Sequence, residues 1–388
     1  MTQSGRIDWR TIVALNVVSI FSQLGQFGIG FVVLPVWLAQ HGLNATELGI
    51  LVSAQWFGML VGLAIAPRFN TRFGHIKVVS LGLLVAIVAF AAMATIGQPI
   101  WLVSAFLIGL GMGLRWIGLE PWLYRIAPAE GRGRLVGFHE TLIGIAPIVA
   151  PLMTNWVGIT GVAPLLLGIL FTALAFIPLA IAGPAPTASA EEPGRTQRGV
   201  ISLRNVVLVL GVASAMIGGL TEAAFSGLFP IFGAGRELSA AHMVSLLSYF
   251  GLGGLLLQYL TGWLADHRGL IFALLTNAAL TILMAVLTSF PLGFGGLAFT
   301  FFFLGGTITA FLTLALVAAT QAGHGDLSVT VRLISMAYTG SAIFGPMLAG
   351  ALMKSLSSEA LIWLLGALAL VLAGFVLLMG RRQRTTTR

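Results

Sequence analysis

Apolar residues run in long blocks along this chain, and polar residues gather in the short joints between them. A membrane-crossing helix needs about 20 predominantly apolar residues to traverse about 30 Å of hydrocarbon. Blocks of that kind fall at roughly 11–38, 46–66, 77–97, 99–121, 133–157, 161–182, 205–231, 241–264, 270–290, 292–320, 330–352 and 360–380. The pattern predicts an all-α membrane protein with twelve transmembrane helices. The lipid bilayer is therefore its first expected partner.

Composition supports that reading. Charged residues make up 8% of the chain, against about 25% in an ordinary soluble domain, and the mean hydropathy is +1.00. The 49 glycines suit helices that approach closely within a membrane. With no cysteine, disulfides, cysteine-held zinc and iron–sulfur clusters are excluded.

The net charge of +8 does not point to nucleic acid, because the charges lie in short joints and form no basic stripe on a segment able to fold in water. They set orientation instead. Seventeen of the twenty Lys and Arg lie on one side, only Arg236 and Lys354 lie on the other, and Arg115 is inside a span. By the positive-inside rule both termini are expected in the cytoplasm, which requires an even number of spans.

The longest polar segment, 183–204, is rich in Pro, Ala, Ser, Gly and Arg and follows the sixth span. It reads as a cytoplasmic linker. The expected organisation is a six-helix bundle over 1–182 and a second over 205–388.

The two halves repeat at an offset of 195 residues. Pro35 falls on Pro230, Gly58 on Gly253, Gly74 on Gly269, Gly111 on Gly306 and Pro151 on Pro346. Matches of proline and glycine carry weight because both occupy special backbone positions. Asn44-Ala-Thr-Glu47 has the form of a capping box, and Ser239 holds the corresponding cap in the second half. Six spans per half gives parallel repeats, as in transporters built from two related bundles.

Through the loops after its second and eighth spans, with Arg72, Gly74 and Lys77 in the first and Gly262, Asp266, Arg268 and Gly269 in the second, the chain resembles the major facilitator superfamily over essentially its whole length. The loop after the eighth span, Gly262-Trp-Leu-Ala-Asp266-His267-Arg268-Gly269, matches the family signature Gly-x-x-x-Asp-Arg-x-Gly with its basic position shifted. The loop after the second span keeps Arg72, Gly74 and Lys77 but lacks the signature's first glycine and its aspartate. The resemblance implies that these loops hold one conformational state through charge contacts at a helix end, with Asp266 the better candidate.

Family exporters carry a Gly-Pro signature in the fifth span. Here that span has Ala146-Pro147 and Ala150-Pro151, while Gly345-Pro346 in the eleventh is closer to the pattern. The segment Arg115-Trp116-Ile-Gly-Leu-Glu120-Pro121, followed by Arg132-Gly-Arg134, is also similar to a bacterial branch of the superfamily. The resemblance implies two pseudo-symmetric bundles, a bacterial inner-membrane location and a monomer.

Ionisable groups inside spans cost about 2.5–3.5 kcal/mol each on insertion scales, so each asks for a partner or a function. Four are candidates for proton coupling: Arg115, Glu120, Glu140 and Glu222. Arg115 and Glu140 reach similar depths, which makes them candidates for an ion pair in the first bundle, with His139 adjacent. That pair would serve proton coupling, a substrate charge or structure alone. Glu120 lies nearer the cytoplasmic interface, just before Pro121, and suits a structural or gating role. Glu222 sits near the middle of the seventh span.

Gln23, Gln26, Gln55, Trp56, Gln258, Asn277 and Tyr338 are the further polar and aromatic residues suited to line a substrate cavity through hydrogen bonds and ring contacts. No nucleotide-binding loop, metal-ligand cluster or catalytic constellation is present in the sequence. Neither metal nor cofactor is expected, and an ion gradient is the natural energy source. The expectation is a proton-coupled secondary transporter exporting a small organic solute. The alternatives are uptake of a metabolite or vitamin-like compound and, in a different class, a non-transporting membrane sensor.

Overall fold

The computed structural model describes residues 8–126, 132–183, 205–322 and 327–386. Among the described residues twelve helical stretches are long and apolar enough to cross a membrane. In chain order they are Trp9–Gln40, Ala45–Phe73, His75–Ile96, Gln98–Ile126, Leu135–Val157, Ala163–Ile181, Val206–Gly235, Ala240–Arg268, Leu270–Thr288, Phe294–Gln321, Val329–Ser355 and Ala360–Gly380. Apart from Gly183, the predicted linker 183–204 lies outside the described residues.

Contacts divide the chain into two units. One comprises Met1–Leu34 and Phe57–Glu191, and the other Pro35–Trp56 and Glu192–Arg388.

Two joints differ from the sequence expectation. The second span runs on to Phe73 and the eighth to Arg268, past the expected ends at 66 and 264. Arg72, Asp266 and Arg268 are therefore helical, as is Gly262, and Gly74 and Gly269 alone form their joints. The physical reason is the glycine. Gly74 has φ 83 and ψ 158, and Gly269 has φ 85 and ψ 157, a backbone region that side chains disfavour. One such residue reverses the chain without a longer loop.

The expected capping box also forms. The Asn44 amide N–H donates to Glu47 Oε2 at 3.0 Å, and the Glu47 N–H donates to Asn44 Oδ1 at 3.1 Å. Ser239 Oγ accepts from the His242 N–H at 3.2 Å.

Proline explains where spans break. A proline cannot donate to the carbonyl four residues earlier. Helical segments end at Ile143, Leu174 and Ala342, four residues before Pro147, Pro178 and Pro346. Pro121 lies inside an unbroken helix, and there the freed carbonyl is covered from outside. Asn70 Nδ2 donates to the Ile117 carbonyl at 2.8 Å, and His75 Nδ1 bonds the Gly118 carbonyl at 2.8 Å.

The first span is widened from Gln23 to Val33 into π-helical turns, closed by a bond from the Leu34 N–H to the Ile29 carbonyl, five residues back. Such turns are rare and recur at functional sites.

Candidate functional site

In the first unit, Arg115 is buried at 1% exposure. Its Nη2 donates to Gln23 Oε1 at 2.6 Å and its Nε to Gln26 Oε1 at 3.2 Å. Gln26 in turn donates from Nε2 to the Gly82 carbonyl of the third span at 3.0 Å, which turns its oxygen toward the guanidinium. The π-helical segment of the first span is thereby tied to the third and fourth spans. Hydrogen bonds to a charged group contribute about 1.5–3 kcal/mol each. Two of them offset the cost of about 2.5–3.5 kcal/mol of placing a guanidinium at membrane depth.

The expected Arg115–Glu140 pair is corrected by this arrangement. Arg115 is held by Gln23 and Gln26, and Glu140 accepts from the Tyr124 hydroxyl at 3.1 Å. The reason is helical phase: successive residues point about 100° apart around a 3.6-residue turn. His139 takes the inward position and is fully buried, which leaves its neighbour Glu140 exposed. His139 Nδ1 lies 3.0 Å from Asn16 Oδ1, and its Nε2 lies 4.0 Å from Glu120 Oε1.

In the second unit, Glu222 of the seventh span accepts a hydrogen bond from the Tyr338 hydroxyl of the eleventh. The Trp56 ring meets the Tyr338 ring edge-on at 6.3 Å between centroids. Three residues from separate stretches of sequence thus come together. Ser226 Oγ donates to the Glu222 carbonyl at 2.8 Å. Beside them lies an aromatic cluster of Phe225, Phe229, Phe250 and Phe301, with Phe225 stacked on Phe250 at 4.3 Å.

The other candidates are placed as follows. Asn277 donates to the Thr307 carbonyl at 2.8 Å, joining the ninth and tenth spans. Gln258 accepts from Thr313 Oγ1 at 3.4 Å. Gln55 is buried in the second span. Arg72, Asp266 and Arg268 are exposed at helix ends.

Sequence reading missed Asn16 and Asn70. Each is a carboxamide in an otherwise apolar or helical stretch. The carbonyl that Pro121 frees was the available signal for Asn70.

A family model described as Major Facilitator Superfamily matches residues 15–329. An uncharacterized MFS-type transporter of Yersinia pestis (strain Pestoides F) is 24% identical over 355 residues, covering 90% of this chain and 91% of that protein. The uncharacterized MFS-type transporter YcaD of Escherichia coli O17:K52:H18 is 23% identical over 341 residues, 87% of each chain. Among solved structures, a mutant of the nucleoside transporter NupG aligns with a TM-score of 0.81 at 14% identity, over 95% of this chain and 99% of that one. A D-xylose–proton symporter aligns with a TM-score of 0.72 at 14% identity, over 96% and 97%.

Proposed function

The chain belongs to the Major Facilitator Superfamily, and we propose that it couples the movement of a small organic solute to protons, in the direction of export. Transport by alternating access comes with the family. The observation that carries proton coupling is Glu222: a carboxylate within a membrane span whose side chain is bonded to a neutral tyrosine hydroxyl. Ionisable residues at membrane depth mark ion and proton pathways. Trp56 and Tyr338 beside it offer the aromatic and hydrogen-bonding surface that suits an organic ligand.

Two six-helix bundles, 1–182 and 205–388, would be the moving bodies, in a monomer with both termini on the cytoplasmic side of a bacterial inner membrane. Proton-linked uptake is the second reading. The same fold carries proton symport in the D-xylose–proton symporter.

The test begins with a thermal-stability screen of the purified protein against organic acids, sugars, nucleosides and amphipathic compounds. The best stabiliser is then followed in vesicles under an imposed pH gradient. Accumulation against its own gradient that collapses with a protonophore supports the proposal. The side to which the solute moves relative to the proton separates export from uptake. Transport indifferent to the pH gradient would overturn proton coupling.

A further inference from the structure

The first unit holds a buried pair that the Glu222 proposal does not use. Asn16 Nδ2 donates to the Ile12 carbonyl at 2.8 Å, which fixes the orientation of that amide and turns Oδ1 toward His139 Nδ1 at 3.0 Å. An amide oxygen only accepts hydrogen bonds, so Nδ1 carries the imidazole hydrogen. A neutral His139 therefore presents a bare lone pair at Nε2. That nitrogen is buried without a hydrogen-bond partner, and so is the Glu120 Oε1 that faces it at 4.0 Å. The two side chains are 0% and 14% exposed.

Two buried acceptors facing each other leave two hydrogen-bonding deficits, each costing about 1–3 kcal/mol. A single hydrogen between them removes both. We infer that Glu120 and His139 form a one-proton binding site, with Asn16 as the positioning residue that sets the imidazole tautomer. The ligand is a proton taken from water and returned to it. It is held either as a carboxylic acid donating to Nε2 or as an imidazolium donating to the carboxylate, after the pair closes from 4.0 Å to hydrogen-bonding distance.

The surroundings suit one proton. Trp116 and Tyr124 approach Glu120 from its own helix. The Tyr124 ring stands edge-on to His139 at 6.1 Å, and its hydroxyl is engaged by Glu140. Arg115, the nearby cation on the same helix, is held by Gln23 and Gln26. From the first span the group facing His139 is the uncharged Asn16. A role for this site in transport rests on the proton-coupled reading above, whereas the bound proton itself does not.

The experiment is a pH titration of the full-length protein in lipid nanodiscs with nitrogen-15-labelled histidine, in which His139→Gln identifies the His139 resonances. The expected result is an Nε2 signal that shifts with pH in the wild type. The shift is lost in Glu120→Gln, where the amide supplies a hydrogen that does not titrate, and is retained in Glu222→Gln. Asn16→Leu, which removes the tautomer constraint, should split Nδ1 between its protonated and bare forms. An Nε2 signal typical of a bare nitrogen at every pH would overturn the inference, as would a titration unchanged by Glu120→Gln. A titrating pair in a protein whose vesicle transport ignores the pH gradient would leave this site standing and remove the transport reading.

Discussion

At an offset of 195 residues, Gly74 and Gly269 share nearly the same backbone angles, and Gly58 and Gly253 repeat another contact. A β-carbon at Gly58 would collide with the Phe106 backbone carbonyl, and one at Gly253 with that of Phe302, one residue past the counterpart of Phe106. The polar groups behave otherwise. Arg115 falls on Ala310, Glu120 on Ala315, His139 on Ile334 and Gln26 on Thr221, while Glu222 falls on Phe27 and Tyr338 on Ile143. The repeat preserves joints and close helix approaches, and the ionisable chemistry is written separately into each half. An internal repeat is thus a guide to the scaffold of such a protein and no guide to its site.

Substitutions can press on this comparison. The largest effect is expected from Arg115→Met, which strips Gln23 and Gln26 of their partner. A loss of about 3 kcal/mol or more should appear as a marked fall in thermal stability, while Ala310→Met, its counterpart by offset, should give a different and purely steric response.

Asn70→Leu exposes the Ile117 carbonyl that Pro121 frees, at a cost of about 1–3 kcal/mol. Combining it with Pro121→Ala, which restores a donor within the helix, should recover much of that loss in the same melting assay. A double variant no more stable than Asn70→Leu alone would show that the Asn70 bond does not serve the proline.

Gly74→Ala and Gly269→Ala should each cost about 1–3 kcal/mol, the penalty for a side chain in an extended backbone with positive φ that is essentially confined to glycine, and the two should agree closely. Unequal costs would break the claim that the repeat is equivalent at its joints. The smallest stability effect is expected from Tyr338→Phe, which keeps the ring beside Trp56 and removes only the hydroxyl on Glu222. It should alter the pH dependence of transport more than stability.

Much of the frame was legible in the sequence, because apolar block length reports the number of spans and proline and glycine mark breaks and joints. Asn44 and Glu47 announced their capping box for the same local reason. The partner of Arg115 was not legible. Depth along two helices brought Glu140 level with it, but azimuth decided the contact, and one residue's rotation put His139 inward instead. The π-helical turns of the first span also escaped, since an i→i+5 bond leaves no simple residue pattern. Glu222 and Tyr338 were each visible as polar groups in a span. Their meeting depends on how the seventh and eleventh spans pack, which no local feature of either span records.

The most direct test of the central claim compares wild type with Glu222→Gln in vesicles, using the best stabilising compound from the ligand screen in two assays. The account predicts that accumulation driven by a pH gradient falls at least about tenfold, a loss of about 1.4 kcal/mol or more in driving interaction, while exchange of labelled for unlabelled solute without a gradient persists. Gradient-driven accumulation by Glu222→Gln at the wild-type level would contradict it.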